Sequence, residues 1–247
     1  MRKLVAGNWK MNGLVADGVA RARDLAARAK AKPPVSEIVL CPPATLLAPV
    51  AQAIAGSGLA LGGQDCHAEP AGAHTGDIAA PMLKDAGCAY VILGHSERRR
   101  DHQESDAVVC AKAAAAVAAG LCAIVCVGET AAERASGRTE AIVVRQLRGS
   151  LPPKLNAATL VVAYEPVWAI GSGRTPTVDD VAAVHARVRA ALRDLATQAD
   201  AVRILYGGSV KPANARELMA VANVDGLLVG GGSLSTEEFW TIASACG

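Results

Sequence analysis

No stretch of this chain approaches 18 uninterrupted apolar residues, so the sequence offers no membrane-spanning helix. The opening MRKLVAGNWK carries two basic residues but no apolar run of leader length before Asn8, and no targeting segment is expected there. A basic stripe is also missing: the formal net charge is +2, with Lys, Arg, Asp and Glu interspersed, which argues against a nucleic-acid partner. Paired cysteines are absent too. The seven thiols, at Cys41, Cys66, Cys88, Cys110, Cys122, Cys126 and Cys246, are odd in number and none shows the close spacing of a zinc site. The expectation is a soluble, cytoplasmic protein with free thiols in a reducing compartment and no bound metal. Finally, no linker, charge block or low-complexity segment divides the chain, so residues 1–247 are expected to form one domain.

What is present is apolar and periodic. Hydrophobic residues make up 51% of the chain and charged residues 19%, too hydrophobic a balance for disorder and enough for a sizeable core. Short, β-branched runs recur eight times: LVAGNW at 4–9, EIVLC at 37–41, LALGGQ at 59–64, YVILGH at 90–95, CAIVCV at 122–127, TLVVAYE at 159–165, VRILYG at 202–207 and GLLVGG at 226–231. They are near-continuously hydrophobic rather than alternating, the pattern of strands buried on both faces of a parallel sheet. Between them lie stretches of helical spacing, such as 15–31, 105–120 and 178–197. Thr177 with Asp180 and Ser235 with Glu238 have capping-box spacing, Pro212 suits a first helical position, and Gly120 stops the 105–119 helix. Parallel neighbours require crossover helices, so eight alternating βα units in about 250 residues predict an α/β fold, a (β/α)8 barrel of eight parallel strands with outer helices. An open doubly wound sheet, the rival, normally stops at five or six strands.

Reactive groups of such a barrel belong at the C-terminal strand ends. Glu165 ends the sixth run and precedes Pro166 and Trp168, a partly desolvated setting that raises a carboxylate's pKa and makes it a better base. Standing alone, a strand-end glutamate is more often an ion-pair partner. His95 follows VILG; a helical turn opened by Ser96-Glu97-Arg98 would depress its pKa and keep it a neutral donor to a carbonyl oxygen. Standing alone, it too reads as a structural histidine, as do His67, His74, His102 and His185. Lys10 places a cation where an enediolate oxygen develops, and Asn8 can orient the same oxygen; the bland reading of Lys10 is a solvated surface lysine. YGGSV at 206–210 and VGGGS at 229–233 expose amides that a phosphate can approach, a weak signal singly and a stronger one at strands seven and eight together. WAIGSGRTPT at 168–177 joins Glu165 to a well-capped helix and has the composition of a lid with an apolar tip, able to exclude water from the carboxylate.

With AGNWKMN at 6–12, GHSERR at 94–99, CVGE at 126–129, AYEPVWAIG at 163–171, YGGSVKPAN at 206–214 and DGLLVGGGSL at 225–234, the chain resembles the triosephosphate isomerase family across all eight βα units. The resemblance implies an isomerase of glycolysis and gluconeogenesis that interconverts dihydroxyacetone phosphate and D-glyceraldehyde 3-phosphate through an enediolate, without a cofactor. It implies Glu165 as base, His95 as electrophile, Lys10 and Asn8 at the enediolate, and Glu97 supporting Lys10. Gly171, Ser209, Gly230 and Gly231 would hold the phosphate; Trp168, Ala169, Ile170, Gly171, Ser172, Gly173 and Arg174 would form the lid, with Ser172 and Arg174 in place of the more usual Thr and Lys. Cys126 reads as a packing residue. The family's homodimer is implied as well, its third βα loop, 64–77, inserting into a second copy so that Thr75 approaches Asn12 and Lys10 there. That loop departs from the family pattern: Asp65 replaces a typical Asn, and His67 and His74 stand where aromatic residues are common. Two other classes remain. A barrel aldolase needs a Schiff-base lysine at a mid-barrel strand end, and none is present. A non-catalytic sugar-phosphate-binding barrel gives no reason for Lys10, His95 and Glu165 to coexist.

Overall fold

Each of the eight apolar runs becomes a strand in the computed structural model, which describes residues 1–170 and 174–245. They are β1 (Leu4–Asn8), β2 (Glu37–Cys41), β3 (Ala60–Gly63), β4 (Tyr90–Leu93), β5 (Cys122–Val127), β6 (Leu160–Tyr164), β7 (Arg203–Tyr206) and β8 (Gly226–Val229). Every pairing is parallel, and β8 returns to β1, so the sheet closes into a barrel in sequence order. The open doubly wound alternative is thereby excluded.

The runs lack alternation because both faces of each strand are buried. One face of the strands points into the barrel, where Leu4, Ala6, Val39, Ile92, Ile124, Val161, Ala163 and Leu205 pack together. The intervening residues, among them Val5, Ile38, Leu40, Val91, Val125, Val162 and Ile204, point outward against the helices. At the N-terminal end the interior is closed by polar groups: Arg203 Nη1 donates to Glu37 Oε2 at 2.6 Å, and Tyr90 donates its hydroxyl proton to Glu37 Oε1 at 2.6 Å. Burial would push Glu37 up, but these two hydrogen bonds hold its carboxyl below the usual value. Chemistry is therefore left to the other end.

The helices follow the expected bounds. Val15–Ala31, Asp106–Ala118 and Val178–Leu195 occupy the three predicted stretches. Thr177 forms a full capping box with Asp180, and Pro212 opens the helix Pro212–Ala220. Ser235 accepts from the Glu238 amide, the cap half of the box expected there. Gly120, at φ +75°, ends its helix in the left-handed conformation that glycine adopts without strain. Among the described residues, no helix is long and apolar enough to cross a membrane.

Candidate active site

Barrel closure brings residues from β1, β4, β6, β7 and β8 around one cavity of about 670 Å³ at the C-terminal strand ends. Asn8, Lys10, His95, Glu97, Glu165, Ile170, Ser209, Gly230 and Gly231 all line it. Trp168 and Ala169 form a short 3-10 turn at the start of the expected lid, and Arg174 lies beyond it. Gly171, Ser172 and Gly173, expected in the lid and at the phosphate, lie outside the described residues.

The backbone of Lys10 is left-handed, at φ +52°, a strained conformation for a residue with a side chain. Two side chains hold it there. Asn8 Oδ1 accepts from the Lys10 amide at 3.0 Å, and Gln64 Nε2 donates to the Lys10 carbonyl at 2.8 Å and to that of Cys41 at 2.9 Å. The ammonium is then delivered to Glu97 Oε1 at 2.5 Å, the support expected of Glu97. Gly230 leaves room for the Lys10 stem: a Cβ built there would lie 3.2 Å from Lys10 Cε.

His95 follows Gly94, whose φ of +63° turns the chain sharply at the end of β4; an added Cβ there would also strike Val109 at 2.7 Å. The turn makes His95 the N-cap of the helix Ser96–Asp101, the helical turn that the sequence anticipated. Its Nδ1 accepts from the Glu97 amide at 3.2 Å, which leaves the ring proton on Nε2. Nε2 lies 2.8 Å from Glu165 Oε1, and Glu165 Oε2 accepts from the Ser96 amide at 3.0 Å. Both side chains are almost wholly buried.

This pairing reverses two expectations. Burial alone would raise Glu165, but the adjacent His95, the Ser96 amide and the Cys126 thiol outweigh it and hold the carboxyl below its usual value. Burial alone would lower His95, but the Glu165 carboxylate outweighs it and raises the imidazole. Expecting a raised glutamate and a depressed histidine overlooked that the two groups bond to each other. The amide on Nδ1 still opposes a second ring proton.

A further group was not assigned from sequence. Glu129, wholly buried, accepts from Trp168 Nε1 at 2.8 Å and from the Tyr164 hydroxyl at 3.1 Å, while Arg134 stacks over the Trp168 ring at 4.4 Å. The first turn after Glu165 is thus anchored by polar contacts as well as by packing. Glu129 stands two residues past the end of β5, whereas Glu165 follows β6 directly; the sequence signals of Glu129 were the CVGE motif at 126–129 and that place near a strand end. The Gln64 clamp had only the second of these signals, at the end of β3.

Of the residues of the expected subunit contact, Asn12 lines a recess together with Lys10, His95 and Glu97, while His67, His74 and Thr75 lie on the third βα loop. Asn12 Nδ2 donates to the Trp9 carbonyl at 2.8 Å, Thr75 is exposed, and the His67 and His74 rings stack with centroids 4.0 Å apart. Asp65 is not adrift: it binds Lys112 Nζ at 2.8 Å and Arg98 Nη2 at 2.8 Å.

The family model for triosephosphate isomerase matches residues 3–246. The chain belongs to the triosephosphate isomerase family. It is 58% identical to the triosephosphate isomerase of Afipia carboxidovorans, over 100% of this chain and 98% of the relative. It is likewise 58% identical to that of Xanthobacter autotrophicus, over 99% and 96%. The crystal structure of triosephosphate isomerase from Bartonella henselae superimposes with a TM-score of 0.92 at 46% identity, covering 99% of both chains. That relative shares this closed barrel over 99% of its length.

Proposed function

We propose that this chain is a triose-phosphate isomerase, interconverting dihydroxyacetone phosphate and D-glyceraldehyde 3-phosphate in glycolysis and gluconeogenesis, with Glu165 as base and His95 as electrophile. The observation that carries this is the convergence of Glu165, His95 and Lys10 on one cavity that is flanked by the glycine turns of β7 and β8. A barrel that only bound a sugar phosphate would use the turns and have no use for the three reactive groups.

Glu165 turns from His95 and Ser96 to the substrate and removes a proton from C1 of the ketose. The carbonyl oxygen takes the vacated Nε2–H of His95, and the charge that develops on it is stabilised by this donor and by Lys10. Glu165 then returns the proton to C2, while the C1 hydroxyl gives up its proton to the oxygen on C2 by way of His95 Nε2, so that C1 becomes the aldehyde and C2 the secondary alcohol. One carbon is oxidised as its neighbour is reduced, so the electron pair stays within the substrate and no cofactor is called for. Asn8 orients the reacting oxygen and holds the Lys10 backbone, while Glu97 positions the Lys10 ammonium. Ser209, Gly230 and Gly231, with Gly171 of the lid, take the phosphate through backbone amides, and closure of 168–174 over the cavity excludes water.

The deciding assay is turnover of glyceraldehyde 3-phosphate by the protein and by Glu165→Gln, which keeps the shape and removes the base. A loss of roughly 10²–10⁴ in kcat with the fold intact is expected. Equal rates would refute the assignment and favour the non-catalytic barrel.

The same reading makes residues 1–247 one domain and the working unit a cytoplasmic homodimer, with Thr75, His67 and His74 of the third βα loop seated against Asn12 of a second copy. Met11, 95% exposed beside Lys10 at the rim of a recess lined by Asn12, Gln64 and Asp65, supports an apolar contact there. Sedimentation of a monomer at micromolar protein would overturn it.

A further inference from the structure

We propose that Arg99 is a positioning residue for His95 and Glu165: its guanidinium fixes the peptide that leads into His95 and ties it to the strand end beside Glu165. This rests on the isomerase reading and adds to it a group that does not line the catalytic cavity.

The β4–β5 ladder ends at Leu93 and Val125. One residue further on, Gly94 turns the chain at φ +63°, and the guanidinium takes over where the backbone pairing stops. Arg99 Nε donates to the Gly94 carbonyl at 2.8 Å and Nη2 to the Cys126 carbonyl at 3.2 Å, so one planar group joins the two strand ends for a further step. The Gly94 carbonyl belongs to the peptide that leads into His95, whose Nε2 is 2.8 Å from Glu165 Oε1. Cys126, on the other side of the bridge, hydrogen-bonds Glu165 through its thiol. Arg99 therefore holds both reactive groups from behind.

The guanidinium is itself held on its far side. Nη1 donates to Asp106 Oδ1 at 2.6 Å and Nη2 to Ser150 Oγ at 3.0 Å, where Asp106 opens the helix Asp106–Ala118 and Ser150 ends the helix Thr139–Ser150. Four hydrogen bonds fix its plane. An added Cβ at Gly94 would lie 3.1 Å from Nη2, so the glycine that makes the turn also admits the arginine against it. A lysine cannot stand in, because its donors radiate from one atom and do not span two carbonyls and a carboxylate in one plane. Arg99 also lines a second cavity, of about 310 Å³, together with Ser96, Cys126, Glu165 and Val167, and its side chain is 15% exposed. Truncation would thus leave a space that free guanidinium ion can enter from solvent.

The test is turnover of glyceraldehyde 3-phosphate by Arg99→Ala, with and without guanidinium chloride at about 0.1 M, far below the molar concentrations that unfold a domain. Misplacing a reacting group by about 1 Å costs about 100-fold, so kcat should fall by about 10–100-fold, and KM should change by less than about threefold because Arg99 touches no substrate. Guanidinium should recover most of the loss saturably, sodium chloride at the same ionic strength should recover none, and wild type should gain nothing. Circular dichroism checks the fold. Arg99→Lys, which keeps the charge without the fork, should show the same fall in kcat in smaller degree, and it carries the test if the alanine variant does not fold. The ring ¹⁵N shifts of His95, assigned by their loss in His95→Gln, are read without turnover and should move in both Arg99 variants. If the wild-type protein shows no turnover, the isomerase reading fails and these shifts alone decide whether Arg99 positions His95. Wild-type kcat in a folded Arg99→Ala protein, a loss there that guanidinium leaves untouched, or His95 shifts unchanged from wild type would each overturn the proposal.

Discussion

Replacing Lys112 by Met tests whether the charge cluster beneath the third βα loop is a closed network. Lys112 Nζ binds Glu104 Oε1 at 2.6 Å and both Asp65 oxygens, at 2.9 and 2.8 Å, and Arg98 bridges the same two carboxylates. Two cations therefore neutralise two anions in a site where the Lys112 and Glu104 side chains are 9% and 5% exposed. Met keeps the stem and removes the charge, leaving two carboxylates to share Arg98. Breaking a buried pair from one side costs about 3–5 kcal/mol; with Arg98 retained, the lower end, about 3 kcal/mol, is expected. For a chain of this size that is a fall of about 6–12 °C in Tm. Urea unfolding at one fixed protein concentration measures it, because association would add a concentration-dependent contribution.

The pH dependence has a definite sign. Burial would raise Glu104, but its hydrogen bond and ion pair with Lys112, and then those with Arg98, hold it below the usual 4.5. A depressed carboxylate contributes stability that is present above its unfolded value and lost as pH falls through its folded value. The gap between wild type and Lys112→Met should thus be widest near neutrality and narrow below about pH 4.5, as the carboxylates protonate in both proteins. Asp65 behaves oppositely. Burial raises it despite Lys112, so its ionised form is not favoured by folding, and Asp65→Asn should change stability at pH 7 by less than about 1 kcal/mol. A Lys112→Met protein within about 0.5 kcal/mol of wild type, the range of ordinary surface changes, would refute the reasoning.

Other consequences can be measured in the same way. His185 is buried, its Nδ1 3.0 Å from the Asn223 carbonyl and its Nε2 among the buried polar atoms without a partner; burial pushes its pKa down to about 4. Its contribution is therefore present above about pH 6.5 and lost toward pH 4, about 3 kcal/mol in all, and His185→Gln should flatten the acid limb of the stability profile; an unchanged slope would contradict this. At Gly128 an added Cβ would lie 1.7 Å from the Glu165 carbonyl oxygen, so Gly128→Ala must displace the backbone of the proposed base. We expect a loss of about 1–3 kcal/mol in stability together with a lower kcat/KM, and wild-type values of both would show that the backbone yields without cost.

The eight strands, their order and the helices between them were legible in the chain because burial on both faces demands continuous apolar runs and caps demand particular residues at particular offsets. Thr177 with Asp180, Pro212 and Gly120 were local signals of this kind, and the structure keeps each. The cavity-lining residues were legible too, since a strand's C-terminal end is a sequence position: Lys10, His95, Glu165 and both glycine turns could be located before any contact was known. What each of them touches could not. Glu165 meets His95 across 70 residues, Gln64 clamps Lys10 across 54, and Glu129 accepts the Trp168 hydrogen bond across 39. Barrel closure alone brings these pairs together, and a pKa is set by the partner rather than by the strand end that carries the group. The sequence by itself determined the fold and which side chains face the cavity, through local periodicity and burial. Tertiary structure decided the bonding among them, and hence the low glutamate, the raised histidine and the network around Asp65, because those free energies depend on distances between residues far apart in the chain.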